Sequence, residues 1–150
     1  MKSVLFVCLG NICRSPMAEC IFRDMVEKRG LAGEIRCESA ATSDEEWGNP
    51  VYPPARRKLG SLGISCEGKR ARTMTRGDYD RFDLLIGMEE RNLSAMRRIC
   101  GGDPEGKMHL LLENAPCPRN IADPWYTGDF DTACRDIMEG CELLLRHLTE

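Results

Sequence analysis

The sequence has no apolar run near the roughly 18 residues a membrane-spanning helix needs. It has no excess of basic charge either: 21 basic side chains face 24 acidic ones, a net charge of -3 that argues against a general binder of nucleic acid or anionic membrane. Repeats, low-complexity tracts and linkers are absent. The opening Met1-Lys2-Ser3 and the apolar residues 4–7 are too short for a secretory leader. Only two histidines are present, His109 in a candidate strand and His147 late in a helix, and both read as packing or surface residues. General acid work therefore falls to carboxylates.

Charged residues at 30% and hydrophobic ones at 42% match a soluble globular chain of 150 residues, read as one domain over 1–150. The charge is uneven. Residues 1–100 carry 17 basic and 14 acidic groups (net +3), and residues 101–150 carry 4 and 10 (net -6). An anion site in the first part would find its acids in the last. The nine cysteines are odd in number and lack the paired spacing of a zinc site. With the missing leader, they point to a reduced, cytoplasmic chain.

Val4-Leu5-Phe6-Val7 is a continuous apolar run, as a strand buried on both faces of a parallel sheet requires. Gly10 and Asn11 follow in a loop, and Ser15-Pro16 reads as the N-cap and first residue of a helix. Ala18, Ile21, Phe22, Met25 and Val26 give that helix an apolar face, and Gly30 ends it. Further strands are expected at 35–40, 83–87 and 108–112, and helices at 55–62, over Leu93, Met96 and Ile99, and from Phe130 to Leu148 with Asp129 as cap. Alternating strands and helices predict an α/β fold with a parallel sheet.

A cysteine six positions before an arginine is weak evidence, since nine cysteines and sixteen arginines yield about one such pair by chance. Two occur. Cys66 and Arg72 follow no apolar run, so Cys66 reads as an ordinary core or loop cysteine. Gly63 to Lys69 imitates a nucleotide-binding loop, but Arg70 stands where that motif needs Ser or Thr. Cys8 and Arg14, in contrast, lie just beyond a strand and before a helix, where backbone N–H groups form an anion site. There the amides, the helix N-terminus and Arg14 all favour a thiolate nucleophile at Cys8. Arg14 offers a planar fork for two phosphoryl oxygens, and Ser15 can stabilise the departing sulfur. Asp123-Pro124-Trp125-Tyr126-Thr127-Gly128 reads as a turn carrying a candidate acid, Asp123, and aromatic walls, Trp125 and Tyr126, for a leaving ring.

The stretch from Val4 through Cys8-Leu9-Gly10-Asn11-Ile12-Cys13-Arg14-Ser15 to Pro16 resembles the signature of the low-molecular-weight protein tyrosine phosphatases. Asp123-Pro124-Trp125-Tyr126 resembles that family's acid loop. Ser39, Arg72 with Thr75, and Met88-Glu89-Glu90 with Asn92 follow in the family's order. The resemblance implies a four-stranded parallel sheet with helices on both faces and a phosphate-binding loop between the first strand and first helix. It also implies a reaction in two steps through a cysteinyl-phosphate, without metal or other cofactor. Cys8 would attack phosphorus, Arg14 would bind its oxygens, and Asp123 would protonate the tyrosine and then activate water. Asn11 and Ser15 match residues that shape the loop, and Cys13 matches a neighbour able to form a reversible disulfide with Cys8. Partners would be phosphotyrosine-containing proteins, with no nucleic acid or membrane.

Three positions depart from the family pattern. Lys69 stands before Arg70-Ala71-Arg72 where histidine is common, which removes or replaces a buried hydrogen bond supporting Asn11 and Ser39. Glu45 falls at an aromatic wall position, with Trp47 two residues on as the expected pocket residue. The acid loop has Trp125 before Tyr126 where two tyrosines are common. Four rivals share parts of this pattern. An arginine phosphatase on the same scaffold goes with threonine where Ile12 stands. An arsenate reductase needs two more cysteines between Cys66 and Cys100, which are missing. A cysteine phosphocarrier needs none of Arg14, Ser15 and Asp123, and a phosphate-binding domain needs neither Cys8 nor Asp123.

Overall fold

The computed structural model describes all 150 residues. Ten elements follow one another: β1 (Lys2–Cys8), α1 (Arg14–Lys28), β2 (Ile35–Ala41), α2 (Pro53–Ser61), α3 (Asp78–Arg81), β3 (Leu84–Gly87), α4 (Glu90–Cys100), β4 (Met108–Leu110), α5 (Pro124–Thr127) and α6 (Phe130–Thr149). The four strands form one parallel sheet in the order β2-β1-β3-β4. The fold is therefore α/β, as expected.

Helices cover both faces because β1 is apolar and buried at every position from Val4 to Cys8. Val4, Phe6 and Cys8 pack with Met17, Ile21 and Phe22 of α1 and with Ile137, Cys141 and Leu145 of α6. Leu5 and Val7 point the other way, into Leu93 and Met96 of α4 and Met74, Tyr79 and Phe82 beside it. Each such fully buried side chain contributes on the order of 1.5–3 kcal/mol. Gly140 lets α6 close on the segment after β4, since a Cβ there would lie 2.4 Å from Leu111 Cγ. From β1 the chain crosses to β2 on one side, then returns past β1 to β3 on the other. The crevice beyond the carboxyl end of β1 is thus the switch point at which such sheets bind ligands.

Several boundaries differ from the sequence expectation. Helix α1 begins at Arg14 with Cys13 at its cap, and no side chain caps it. Ser15 is not the N-cap, because its hydroxyl is engaged by Cys8 and Asn11. Pro16 still fits, as the first-turn N–H groups have no helical acceptor. Helix α2 starts two residues early because Pro53 and Pro54 occupy its first positions. Strand β4 ends at Leu110, and Leu112 joins the core from a turn. Helix α3 was not expected. It is held by the fully buried Asp78, which accepts from Arg72, Arg81 and the Thr75 N–H.

Candidate active site

The sheet delivers Cys8 to the end of β1, and residues 9–13 turn over it before α1 begins. The turn is made at Asn11, the only non-glycine residue with a positive φ (59°). Gly10, which precedes it in the expected turn, does not need a positive φ. Asn tolerates this conformation better than other side chains, and its amide is fully used. Asn11 Nδ2 donates to Ser15 Oγ at 2.8 Å and to Ser39 Oγ at 2.9 Å, while Oδ1 accepts the Arg72 N–H at 3.2 Å. The backbone donor fixes which way the amide points.

That orientation fixes the next bond. Ser15 Oγ accepts from Asn11 and lies 2.9 Å from Cys8 Sγ, so its own proton is free to be donated to sulfur. The Asn11 N–H also points at Sγ, at 3.3 Å. Two donors therefore converge on a nearly buried sulfur, the arrangement that holds negative charge there. Burial, with the charges of Cys8 and Asp123 added, pushes Cys13 up to about 12.

Arg14 is 1% exposed, and its guanidinium is aimed by three acceptors. Nη1 donates to the Ile121 carbonyl at 2.9 Å, and Nη2 reaches Glu89 Oε1 at 3.3 Å and Asp123 Oδ2 at 3.2 Å. Glu89 is itself fixed as the N-cap of α4 in a reciprocal capping box with Asn92. Asp123 caps α5 by accepting the Trp125 N–H at 3.1 Å. The segment read as a plain turn is therefore a short helix, which holds the carboxylate over the loop.

These groups line one cavity of about 130 Å³. Its floor is Cys8 to Arg14, one side carries Ser43, Glu45 and Glu46, and the other carries Asp123, Trp125 and Tyr126. Trp125 is braced by Tyr52, ring centroids 4.7 Å apart, and Tyr52 by Phe130 at 6.1 Å. A thiol, a guanidinium and a carboxylate thus meet in a space fit for a small anion with an aromatic tail.

The sequence matches the family described as low molecular weight phosphotyrosine protein phosphatase over residues 3–150. The chain belongs to this family. It is 43% identical to the low molecular weight protein-tyrosine-phosphatase YfkJ of Bacillus subtilis, over 97% of this chain and 94% of that one. The crystal structure of YfkJ superposes with a TM-score of 0.94 at 42% identity, covering 99% of this chain and 95% of that one. The structure of a Drosophila arginine phosphatase superposes with a TM-score of 0.89 at 31% identity, covering 100% and 99%.

Of the residues singled out from the sequence, Cys8, Leu9, Gly10, Asn11, Ile12, Cys13, Arg14, Asp123, Trp125 and Tyr126 all line this cavity, and Ser15 lies directly beneath it. Trp47 does not line it. A turn closed by the Trp47 N–H on the Asp44 carbonyl presents Glu45 and Glu46 to the cavity and leaves Trp47 65% exposed. His109 is turned to Glu113 and the Gly106 carbonyl, away from the site. Lys69, where the resemblance implied a histidine, supplies contacts of its own. Lys69 Nζ donates to the Ser39 carbonyl at 2.9 Å and lies 3.4 Å from Glu19 Oε1, which accepts from Ser39 Oγ at 2.5 Å. Sequence reasoning missed Glu19, Glu89, Ile121 and Tyr52. Glu89 was visible only as part of the family order, and Glu19 looks like an ordinary helix acid.

Proposed function

We propose that this protein is a phosphatase of phosphotyrosine and aryl phosphates that works through a cysteinyl-phosphate. The reading rests on one observation: Cys8, Arg14 and Asp123 converge on a single cavity of about 130 Å³. The phosphoryl group enters over the loop and takes hydrogen bonds from Arg14. The guanidinium stays in place because Ile121 and Glu89 hold it from behind. Cys8 sulfur attacks phosphorus while the bond to the tyrosine oxygen breaks. Asp123 in its acid form gives that oxygen its proton, so that phenol rather than phenoxide leaves. Asp123 then takes a proton from water as the water attacks the phosphocysteine. Cys8 departs as thiolate toward the Ser15 hydroxyl, and inorganic phosphate is released. Trp125 and Tyr126 flank the leaving ring. Compartment stays with the sequence expectation of a cytoplasmic protein.

The likeness to an arginine phosphatase supports a second reading, phosphoarginine hydrolysis. Ile12, on the cavity floor, favours tyrosine by giving the ring an apolar base in place of threonine. Hydrolysis of a phosphotyrosine peptide and of free phosphoarginine, in excess chelator and fresh reductant, separates the two. Turnover of the peptide, abolished by Cys8→Ser, is expected. Turnover of phosphoarginine alone, or activity surviving Cys8→Ser, overturns the proposal.

A further inference from the structure

The catalytic cavity opens beside a second, larger groove of about 800 Å³ that the chemistry described above does not use. Leu9, Asp123 and Tyr126 line both, so the groove is open to one flank of a peptide whose phosphotyrosine sits over Cys8. The far wall of the groove is one face of α4. Arg91, Ala95 and Arg98 stand there at helical spacing, and neither arginine makes a hydrogen bond or ion pair within the chain. Of the acids nearby, Glu89 and Asp123 are held against Arg14, leaving Glu90 as the one unpaired carboxylate. Glu45 and Glu46 line the catalytic cavity but not this groove. Free arginines thus line the groove, while further carboxylates line the cavity beside it.

We infer that Arg91 and Arg98 form a subsite for an acidic side chain flanking the phosphotyrosine, and that Glu45 and Glu46 repel such a side chain from the other flank. The inference rests on the proposed phosphatase reading and names its substrate class: peptides acidic on one side of the phosphotyrosine. The dimensions agree. Two arginines seven residues apart on a helix are separated by roughly 10 Å along its axis. An extended peptide advances about 3.3 Å per residue, so about three of its residues span the distance between the two arginines. Arginine's planar fork suits a carboxylate. Because the contacts are solvent-exposed, the gain per charge is modest and screened by salt.

The test uses phosphotyrosine peptides that differ only by Glu, Gln or Lys two positions before or two positions after the phosphotyrosine. Dissociation constants are measured on the Cys8→Ser protein, and kcat/KM on the unmodified enzyme. On one flank only, Glu is expected to bind about fivefold more tightly than Gln at low salt, and Lys more weakly than either. The preference should fall as salt rises and vanish in an Arg91→Glu/Arg98→Glu protein whose unfolding temperature is unchanged. Equal binding of Glu and Gln peptides on both flanks overturns the inference, as does the same preference on both flanks or its survival in the double variant. Failure of the phosphatase reading looks different: the Glu preference in binding persists while no peptide is turned over. Absence of any phosphopeptide binding overturns both.

Discussion

A chain of contacts runs from Lys69 through Ser39, Asn11 and Ser15 to the Cys8 sulfur, and Lys69→Met tests whether that chain holds the loop. The substitution keeps a stem of similar length but removes the charge-assisted donor to the Ser39 carbonyl and the 3.4 Å contact to Glu19. A hydrogen bond to a charged donor is worth roughly 1.5–3 kcal/mol. Breaking a wholly buried ion pair costs about 3–5 kcal/mol, but Lys69 is 14% exposed and Glu19 keeps Arg23 and Ser39, so the full figure does not apply. A net loss of about 2–3 kcal/mol follows, equivalent to a fall of about 4–12 °C in unfolding temperature for a chain of this size. Freed of its partner, Ser39 holds Asn11 less firmly, and Asn11 and Ser15 lose their aim at Cys8. A drop of about tenfold in kcat/KM, or about 1.4 kcal/mol, is the expected kinetic result. Thermal unfolding by circular dichroism and steady-state kinetics read the two effects. Lys58→Met, which breaks an ion pair with the exposed Asp131, is the control and should leave both unmoved. Unchanged stability and unchanged kcat/KM in Lys69→Met would refute the reasoning.

Two further predictions concern protons. Asp123→Ala should slow hydrolysis of phenyl phosphate by about 10²–10⁴-fold but that of para-nitrophenyl phosphate much less, because a good leaving group needs little protonation; equal losses on both esters would remove Asp123 from the acid role. Burial pushes Cys13, Cys20 and Cys37 each up to about 12, whereas the unfolded chain releases those protons near 9. The unfolded state thus loses protons first, so stability is intact below about pH 9 and falls as pH rises toward 12, with a limiting slope of about 1.4 kcal/mol per pH unit per thiol. Unfolding temperatures measured from pH 8 to 11 should decline, and less steeply in a Cys20→Ala/Cys37→Ala protein; an identical slope in that protein would contradict the assignment.

What the sequence displayed was local. The run of apolar residues in β1, the Gly10-Asn11 turn region and the Ser15-Pro16 helix start are contiguous, so the loop and its place in an α/β sheet could be read directly. The errors come from residues with two uses. Ser15 has the chemistry both of an N-cap and of a donor to sulfur, and the fold commits its hydroxyl to Cys8 and Asn11. Trp47 is the aromatic residue nearest the expected wall, yet the turn at Asp44 to Trp47 gives that wall to Glu45 and Glu46. Partners distant in sequence carried no local signal. Glu89 and the Ile121 carbonyl meet Arg14 across 75 and 107 residues, and Glu19 reaches Ser39 and Lys69 only because α1 lies against β2. The same holds for Asp78, whose buried carboxylate creates α3 from a stretch with no apolar pattern.

The central claim is that phosphate passes through the sulfur of Cys8. Rapid mixing of the Asp123→Ala protein with para-nitrophenyl phosphate, followed by acid quench and peptide mass spectrometry, observes that step directly. Attack on this activated ester survives the substitution while water attack is slowed, so a phosphate adduct on the peptide containing Cys8 should appear within the first turnover and be absent from Cys8→Ser. Turnover with an adduct on another residue, or with none at any time point, would contradict the account.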